Sequence, residues 1–172
     1  MSDRELIDQL DVVFSVALHL CGNRAEAQDL TQETFARALA ARERFREGTS
    51  ARAWLLAILS RLNLNRRRDE SRHPSVELDD ELPAPELEAV PSWRAVPVEA
   101  LRAALAEVPL KFREPVVLRD LLGMSYREVA FVLEVPPGTA MSRLNRGRER
   151  LKALVLAKFG ALAEVRSTRD VV

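Results

Sequence analysis

The sequence predicts an all-α protein of two small helical domains joined by a flexible acidic linker. Apolar residues recur every three or four positions through both ends of the chain, as on one face of a helix. No segment alternates apolar and polar residues as a half-buried strand does, and prolines and acids concentrate in the middle. We therefore divide the 172 residues into a domain over 1–70, a linker over 71–98, a domain over 99–160 and a tail over 161–172 that we expect to fray.

The first domain is predicted to hold three helices. Val13, Val16 and Leu20 recur at helical spacing, and Gly22 marks the end of their helix because glycine tolerates the left-handed conformation found there. The remaining predicted segments are a helix over 24–45, a loop over 46–50 and a helix from about 51 to 68.

The third of these helices is basic. From Arg52 to Arg68 it has five arginines and no acid. Its apolar stripe is formed by Trp54, Leu55, Ile58, Leu59 and Leu62, and a polar stripe lies roughly opposite, formed by Ser60, Asn63 and Arg67. Short polar side chains beside arginine suit contacts to base edges and phosphates. A surface helix whose basic end complements the helix dipole explains this segment equally well when it is taken by itself.

The linker has five prolines and an acidic balance. Residues 71–100 carry 2 basic and 7 acidic residues, whereas residues 101–172 carry 13 basic and 8 acidic residues. Proline removes backbone donors and like charges repel, so we expect this segment to be extended. Trp93, a large apolar residue in this polar setting, is a candidate for docking on a neighbouring domain. Total charge, 26 basic against 26 acidic residues, indicates no partner, and only its distribution is informative.

The second domain is predicted to hold four helices. The first ends before Pro109, and the second ends at Gly123 and carries Pro115 in its first turn, where a missing N–H costs little. Ser125 and Glu128 form a capping box that starts the third helix. A Pro-Pro-Gly connection follows, and its proline suits the first turn of the fourth helix.

The fourth helix has one apolar face and one polar face. The apolar face consists of Ala140, Leu144, Gly147 and Leu151, whose two small members permit close approach to the preceding helix. The polar face consists of Ser142, Asn145, Arg146 and Glu149, flanked by Arg143 and Arg150. The pattern is typical of a helix-turn-helix that places arginine on guanine and asparagine on adenine in the major groove. A hairpin with a solvated charged face is the alternative, but the cap, the turn and the clustered arginines favour DNA binding.

Other classes of site find little support in the sequence. With one cysteine, Cys21, no intramolecular disulfide is possible, and a metal site of Cys21, His19 and His73 is conceivable but less favoured than a small buried thiol. The first ten residues are too charged for a signal peptide, and no apolar run is long enough for a membrane span, so we expect a cytoplasmic protein. No catalytic or phosphate-binding motif occurs, so we expect neither an enzyme nor a cofactor.

Two segments carry a resemblance to a known family. "AQDLTQETF" (27–35) and "RAWLLAI" (52–58) resemble the second conserved region of bacterial sigma-70 family proteins, in the extracytoplasmic-function group of RNA polymerase sigma factors. Residues 105–151, "LAEVPLKFREPVVLRDLLGMSYREVAFVLEVPPGTAMSRLNRGRERL", resemble the fourth region of the same family. The resemblance covers nearly the whole chain outside the linker and the last dozen residues, with both motifs in the family's order.

The resemblance implies a protein that binds core RNA polymerase and directs it to particular promoters. The positions that match the family's polymerase-docking surface are Asp29, Gln32, Glu33 and Phe35. Those that match its −10 element surface are Arg46, Thr49, Ser50, Trp54, Ser60, Arg61, Asn63, Arg67 and Arg68. Those that match its −35 element surface are Ser125, Tyr126, Thr139, Ser142, Arg143, Asn145, Arg146 and Arg150. The resemblance further implies a linker that threads the polymerase interior and control by an anti-sigma factor, often a membrane-bound one.

Departures from the family pattern concern the promoter sequence rather than the function. Leu59-Ser60-Arg61 stands where Ala-Arg-Asn is frequent, Asn65 replaces a frequent Asp, and Ala140-Met141 replaces Val-Lys, which removes one phosphate contact. A stand-alone helix-turn-helix regulator that does not recruit polymerase is the alternative function. It explains residues 100–152 but leaves "AQDLTQETF" and the basic helix unexplained, and binding of the first seventy residues to core polymerase discriminates the two.

Overall fold

A computed structural model gives the structure of residues 2–46, 48, 50–70 and 97–169, with side chains described through residue 158 except residue 70. Its regular structure is helical throughout these residues, which confirms the predicted all-α class. In chain order the α-helices are α1 Asp3–Ile7, α2 Leu10–Cys21, α3 Arg24–Ala40, α4 Ala51–Glu70, α5 Val98–Glu107, α6 Leu110–Val116, α7 Tyr126–Leu133 and α8 Pro137–Arg169. The linker prolines other than Pro97, and Trp93, His73 and Thr49, lie outside the described residues.

Local signals set the helix ends in the first domain. Gly22 closes α2 in the left-handed conformation at φ 80°, and Asn23 caps α3 by accepting a 2.8 Å hydrogen bond from the Glu26 amide. The predicted helix over 24–45 is too long, because α3 ends at Ala40 and a short 3₁₀ turn, Arg42–Arg44, follows. That turn brings the Phe45 ring edge-on to the Trp54 ring, with the ring centroids 5.4 Å apart.

In the second domain, the predicted position of Pro115 is wrong. The helix begins at Leu110 because the Pro109 carbonyl accepts bonds from the Phe112 and Arg113 amides, which leaves Pro115 in the helix interior. The helix then continues as a π-helical turn, Val117–Leu121, before Gly123 ends it in the left-handed conformation at φ 68°. Proline is tolerated here at the cost of one backbone donor.

Helix α8 is longer than the sequence predicts. It begins at Pro137, as predicted, and its backbone is helical to Arg169, through the first nine residues of the predicted tail. The fraying expected of residues 161–172 stays a prediction. Gly147 lies against α6 rather than against the preceding helix α7. A Cβ placed on Gly147 would lie 2.3 Å from the Phe112 carbonyl oxygen and 2.7 Å from Cγ2 of Val116.

The two helical domains share one apolar core, with α4 at its centre. Helix α4 packs against α2 and α3 on one side and against α7 on the other. Its Leu55, Leu56 and Leu59 are fully buried, as are Leu20 of α2 and Leu144 of α8. The predicted domains are therefore in contact, and the polar residues of α4 lie close to the second domain.

Within the described residues, no cluster of three or more His, Cys, Asp or Glu side chains is placed to hold a metal ion, and the Cys21 side chain is half-buried. None of the described helices is both long enough and apolar enough to cross a membrane.

Candidate nucleic-acid interface

A tight connection joins α7 and α8 as a helix-turn-helix. The Ser125 hydroxyl accepts a hydrogen bond from the Glu128 amide (3.3 Å), and the Glu128 carboxylate accepts one from the Ser125 amide (2.8 Å), which confirms the predicted capping box. The Ser125 amide and hydroxyl both hold the pKa of Glu128 below its usual value. At the other end of α7, Glu134 adopts the left-handed conformation at φ 53° and turns the chain toward α8.

The predicted apolar face of α8 is buried. Ala140, Leu144 and Leu151 are at most 5% exposed, and they hold α8 against α6 and α7. The side chains predicted to contact the −35 element are half-buried at Thr139, Ser142, Arg143, Asn145 and Arg146 and exposed at Ser125, Tyr126 and Arg150. The first five all lie within the first ten residues of α8, the helix that follows the turn.

Two of the predicted −35 residues also stack within the domain. The Arg150 guanidinium lies over the Phe112 ring, 4.5 Å from its centroid, and the Arg119 guanidinium lies 4.8 Å from the Tyr126 ring centroid. Cation–π contacts of this kind hold side-chain orientation at modest energy. Ser125, for its part, is engaged in the cap of α7.

Arg148 is a residue that the sequence analysis did not select. Its Nε and Nη2 both donate to the Asp120 carboxylate, with an Nε–Oδ2 distance of 2.8 Å, which joins α8 to the π-helical turn. The hydrogen bond with Asp120 is the main cause that raises the pKa of Arg148. The pair has no sequence signal, since 28 residues separate its members.

The polar stripe of α4 is buried at Asn63, half-buried at Ser60 and exposed at Arg67. Asn63 is 3% exposed, and its Nδ2 has no hydrogen-bond partner among the described residues. The prediction that Asn63 lies on a polar stripe opposite the buried stripe is therefore wrong for this side chain, which is itself buried. Arg67, on the same stripe, donates from Nη2 to the Leu20 carbonyl at the end of α2 (3.3 Å). Arg61 is exposed and pairs with Glu134 at the turn before α8.

A buried carboxyl lies beside this stripe. Glu114 is 8% exposed, and burial raises its pKa to about 7, against the smaller opposing effects of the Ser60 hydroxyl and the Arg143 charge. Ser60 belongs to α4 and Arg143 to α8, so Glu114 lies where elements of both domains meet. The sequence feature that could have indicated this buried carboxyl is an acid inside the apolar run "FREPVVL".

The loop before α4 presents exposed Arg46 and Ser50, and the Ser50 hydroxyl accepts a 3.4 Å bond from the Ala53 amide. Trp54 is half-buried against Phe45 rather than free. Arg68 lies exposed near the end of α4. Arg46, Ser50 and Trp54 thus lie at the N-terminal end of α4, and Ser60 to Arg68 lie along its C-terminal half.

The residues predicted to dock on polymerase lie on α3. Asp29 and Gln32 are exposed, and Phe35 is half-buried against the core. Glu33 accepts hydrogen bonds from Arg66 at 2.7 Å and from Arg37 at 2.8 Å, and the Arg66 bond is the main cause that lowers the pKa of Glu33. Glu33 therefore ties α3 to α4.

Comparison with known proteins matches both domains. Residues 6–73 match the family described as Sigma-70 region 2, and residues 98–151 match Sigma-70, region 4. The chain is 39% identical over 153 residues to the ECF RNA polymerase sigma factor SigE of Mycolicibacterium smegmatis, covering 86% of this chain and 59% of that protein. It is 39% identical over 140 residues to the ECF RNA polymerase sigma factor EcfG of Rhodopseudomonas palustris, covering 81% of this chain and 76% of that protein.

Two solved structures have a fold similar to that of this chain. One is the sigma factor RpoE of Bartonella quintana, solved in complex with the anti-sigma factor NepR. The two chains superpose with a TM-score of 0.70 at 28% sequence identity, and the match covers 88% of this chain and 94% of that one. CnrH, solved in complex with the cytosolic domain of CnrY, has a TM-score of 0.59 and 26% identity over 88% of this chain and 86% of that one. The chain therefore belongs to the sigma-70 family, in its extracytoplasmic-function group of RNA polymerase sigma factors.

Proposed function

We propose that this protein binds core RNA polymerase and directs promoter-specific initiation of transcription, with no catalytic activity of its own. The observation that carries the proposal is the pairing of a region-4 helix-turn-helix, whose α8 groups Arg143, Asn145 and Arg146, with a complete region-2 helical unit on one chain. A stand-alone regulator needs only the first of these. The proposed division is residues 1–70 for polymerase and the −10 element, 71–98 as linker and 99–160 for the −35 element.

We place the polymerase contact on the exposed side of α3. Asp29 and Gln32 are solvent-facing, and Glu33 is held in place by two arginines, so the helix presents a charged, ordered surface. Phe35 sits partly in the core and contributes apolar area at the edge of this surface. A site of action beside polymerase places the protein in the cytoplasm.

The −35 contact is assigned to α8 of the helix-turn-helix. Arg146 and Asn145 have the donors that guanine and adenine accept in the major groove, and Thr139 and Ser142 lie near the helix start, where backbone phosphates approach. The −10 contact is assigned to the loop that carries Arg46 and Ser50 and to the C-terminal half of α4. Holding a base out of the stack costs a few kcal/mol, which arginine contacts to phosphates offset in a salt-dependent way.

Control by an anti-sigma factor is part of the proposal. The RpoE structure described above is a complex with an anti-sigma factor, and its similarity extends over 88% of this chain. Such a partner would have access to the apolar cleft between α4 and α7, a cavity of about 500 Å³ lined by Ala57, Ala130, Phe131, Val135 and Pro136 among others.

Run-off transcription tests the proposal. Purified protein, core bacterial polymerase and the DNA upstream of the protein's own operon are combined, and we expect a discrete transcript only when the protein is present. We expect Arg146→Ala to reduce that transcript about five- to 150-fold and to relax preference in the −35 element, since a good bidentate base contact is worth about 1–3 kcal/mol. Arg102→Ala, which removes an exposed arginine from α5, is the matched control and should leave the transcript unchanged.

Absence of a transcript is resolved by a pull-down on the same core polymerase. Binding without transcription would mean that the chosen promoter is wrong. Failure of the protein to bind polymerase at all would contradict the proposed function and favour the stand-alone regulator.

A further inference from the structure

We propose that Met141, near the start of α8, contacts a thymine of the −35 element by packing its thioether side chain against the C5 methyl group of that base. The inference deepens the proposed function, because it names one base contact of α8, and it rests on that function for the assignment of α8 to DNA. It adds an apolar, specificity-determining residue to a −35 surface that was predicted from side chains with hydrogen-bonding groups.

Exposure along the first part of α8 runs against side-chain polarity. The structure describes all of residues 139–148, and among them Met141 alone is exposed, at 46%. The polar and basic members of the same stretch are all half-buried: Thr139, Ser142, Arg143, Asn145, Arg146 and Arg148. Single exposed apolar side chains are common on protein surfaces. This one, however, is the most accessible side chain of the segment that a helix-turn-helix places in the major groove.

The side of α8 that carries Met141 is held in place by an ion pair. Asn145 and Arg148 follow Met141 at four and seven positions, so the three residues share one side of the helix. Nε and Nη2 of Arg148 donate to the Asp120 carboxylate, with an Nε–Oδ2 distance of 2.8 Å, and the two side chains are 20% and 31% exposed. A two-point contact of this kind restricts rotation of α8 about its axis. Met141 is therefore presented to solvent by an ordered helix, directly after the buried Ala140.

The thymine methyl is the apolar group that the major groove offers to a side chain. The other groups that distinguish the bases in this groove are hydrogen-bond donors and acceptors. A thioether donates no hydrogen bond and accepts one only weakly, so packing Met141 against those groups would remove water without replacing its hydrogen bonds. Methionine is also unbranched and flexible, which lets it adjust to the position of a methyl group. We therefore expect Met141 to favour thymine over the other three bases at one position.

Replacement of thymine by uracil tests the contact, since uracil differs from thymine only in lacking the C5 methyl group. A preferred duplex is first selected from a library of randomised sequence, once by the full chain alone and once by the full chain with core bacterial polymerase. Each thymine of the selected duplex is then replaced by uracil, one at a time, and affinity is measured by fluorescence anisotropy. We expect one replacement in the −35 element to weaken binding about two- to fivefold, as the burial of one methyl group allows.

Variants of Met141 connect this effect to the side chain. Met141→Ala should bind the thymine and uracil duplexes equally, because the methyl group then has no apolar partner, whereas Met141→Leu should keep most of the preference. Met141→Lys should lose the preference and steepen the dependence of log affinity on log salt concentration by about one unit, through a phosphate contact. Leu156→Ala, which removes an exposed apolar side chain farther along α8, is the matched control and should keep the parental preference.

The inference is overturned if no uracil replacement weakens binding of the parent protein, or if Met141→Ala retains the preference for thymine. It is also overturned if no duplex is selected with or without polymerase, because α8 then contacts no particular sequence. Loss of core polymerase by Met141→Ala in a pull-down, with the thymine preference intact, would assign the side chain to polymerase and overturn it as well. A preference that depends on Met141 and is found with the full chain alone sustains the inference even where the chain binds no polymerase, in which case only the proposed function fails.

Discussion

Gly147→Ala gives the sharpest test of how the second domain is packed. A Cβ at this position would lie 2.3 Å from the backbone carbonyl oxygen of Phe112 and 2.7 Å from the side chain of Val116. Both distances are well below van der Waals contact, and the nearer atom belongs to the backbone of α6. The methyl group is accommodated only if α6 and α8 separate, which disturbs the packing along their whole contact.

The magnitude follows from two opposing effects. Overpacking a filled core costs typically about 1–3 kcal/mol. Alanine in a helix interior recovers up to about 1 kcal/mol relative to glycine. We therefore expect a net loss of about 1–2 kcal/mol in the free energy of unfolding. In a protein of this size that is a fall in melting temperature of roughly 2–8 °C.

Urea and thermal unfolding followed by circular dichroism measure the loss. Gly138→Ala is the matched control, since it lies in the same helix and a Cβ there would meet no atom within 4 Å. We expect Gly138→Ala to be neutral or slightly stabilising. If Gly147→Ala were as stable as Gly138→Ala, the close approach of α6 and α8 would be wrong.

Two further predictions concern polar groups. The pKa of Glu114 is raised from its ordinary value of 4.5 to about 7, so the stability that its neutral form provides is complete below pH 4.5 and is lost as the pH rises to about 7. Glu114→Gln should remove this part of the pH dependence, on the order of 3 kcal/mol at most, in urea unfolding between pH 5 and 8, and an unchanged slope would refute the assignment. Ser125→Ala removes the cap of α7 and should cost about 1 kcal/mol in the same assay, whereas Ser125→Asp, which can still accept the Glu128 amide bond, should recover most of it.

The sequence predicted those features that depend on a few neighbouring residues. Gly22 ends α2, Ser125 and Glu128 form a capping box, and Pro137 begins α8, each for a reason contained within four residues of chain. The buried face of α8 was predictable too, because apolar residues spaced three and four positions apart lie on one face of a helix whichever element packs against it. Which helix this face meets was not predictable: Gly147 lies against α6, not against the preceding helix α7 as its spacing had suggested.

The errors arise where distant segments meet. Pro115 was predicted in a first turn because the sequence pattern placed the start of the helix near Phe112. The helix in fact begins at Leu110, where the Pro109 carbonyl accepts the first hydrogen bonds, and a backbone acceptor leaves no periodic pattern in the sequence. The Arg148–Asp120 pair and the Arg113 contacts to α2 link residues 28 and more than 90 positions apart. Helical periodicity reports which side of a helix is apolar, but it carries no information about what covers the other side.

Helix α4 shows why that limit matters most at a functional surface. Its apolar stripe packs in the core, and the spacing of apolar residues in the sequence predicted that stripe. Its polar stripe is suited to DNA by composition, yet here it carries a buried amide and donors matched to two acids of the second domain. Buried polar groups are nearly always paired, so the Asn63 Nδ2, which has no hydrogen-bond partner among the described residues, is poorly matched to this packing. We therefore expect Asn63→Leu to keep or raise the free energy of unfolding in urea and to weaken the run-off transcript, whereas a purely structural role for Asn63 predicts a loss of stability on the same change.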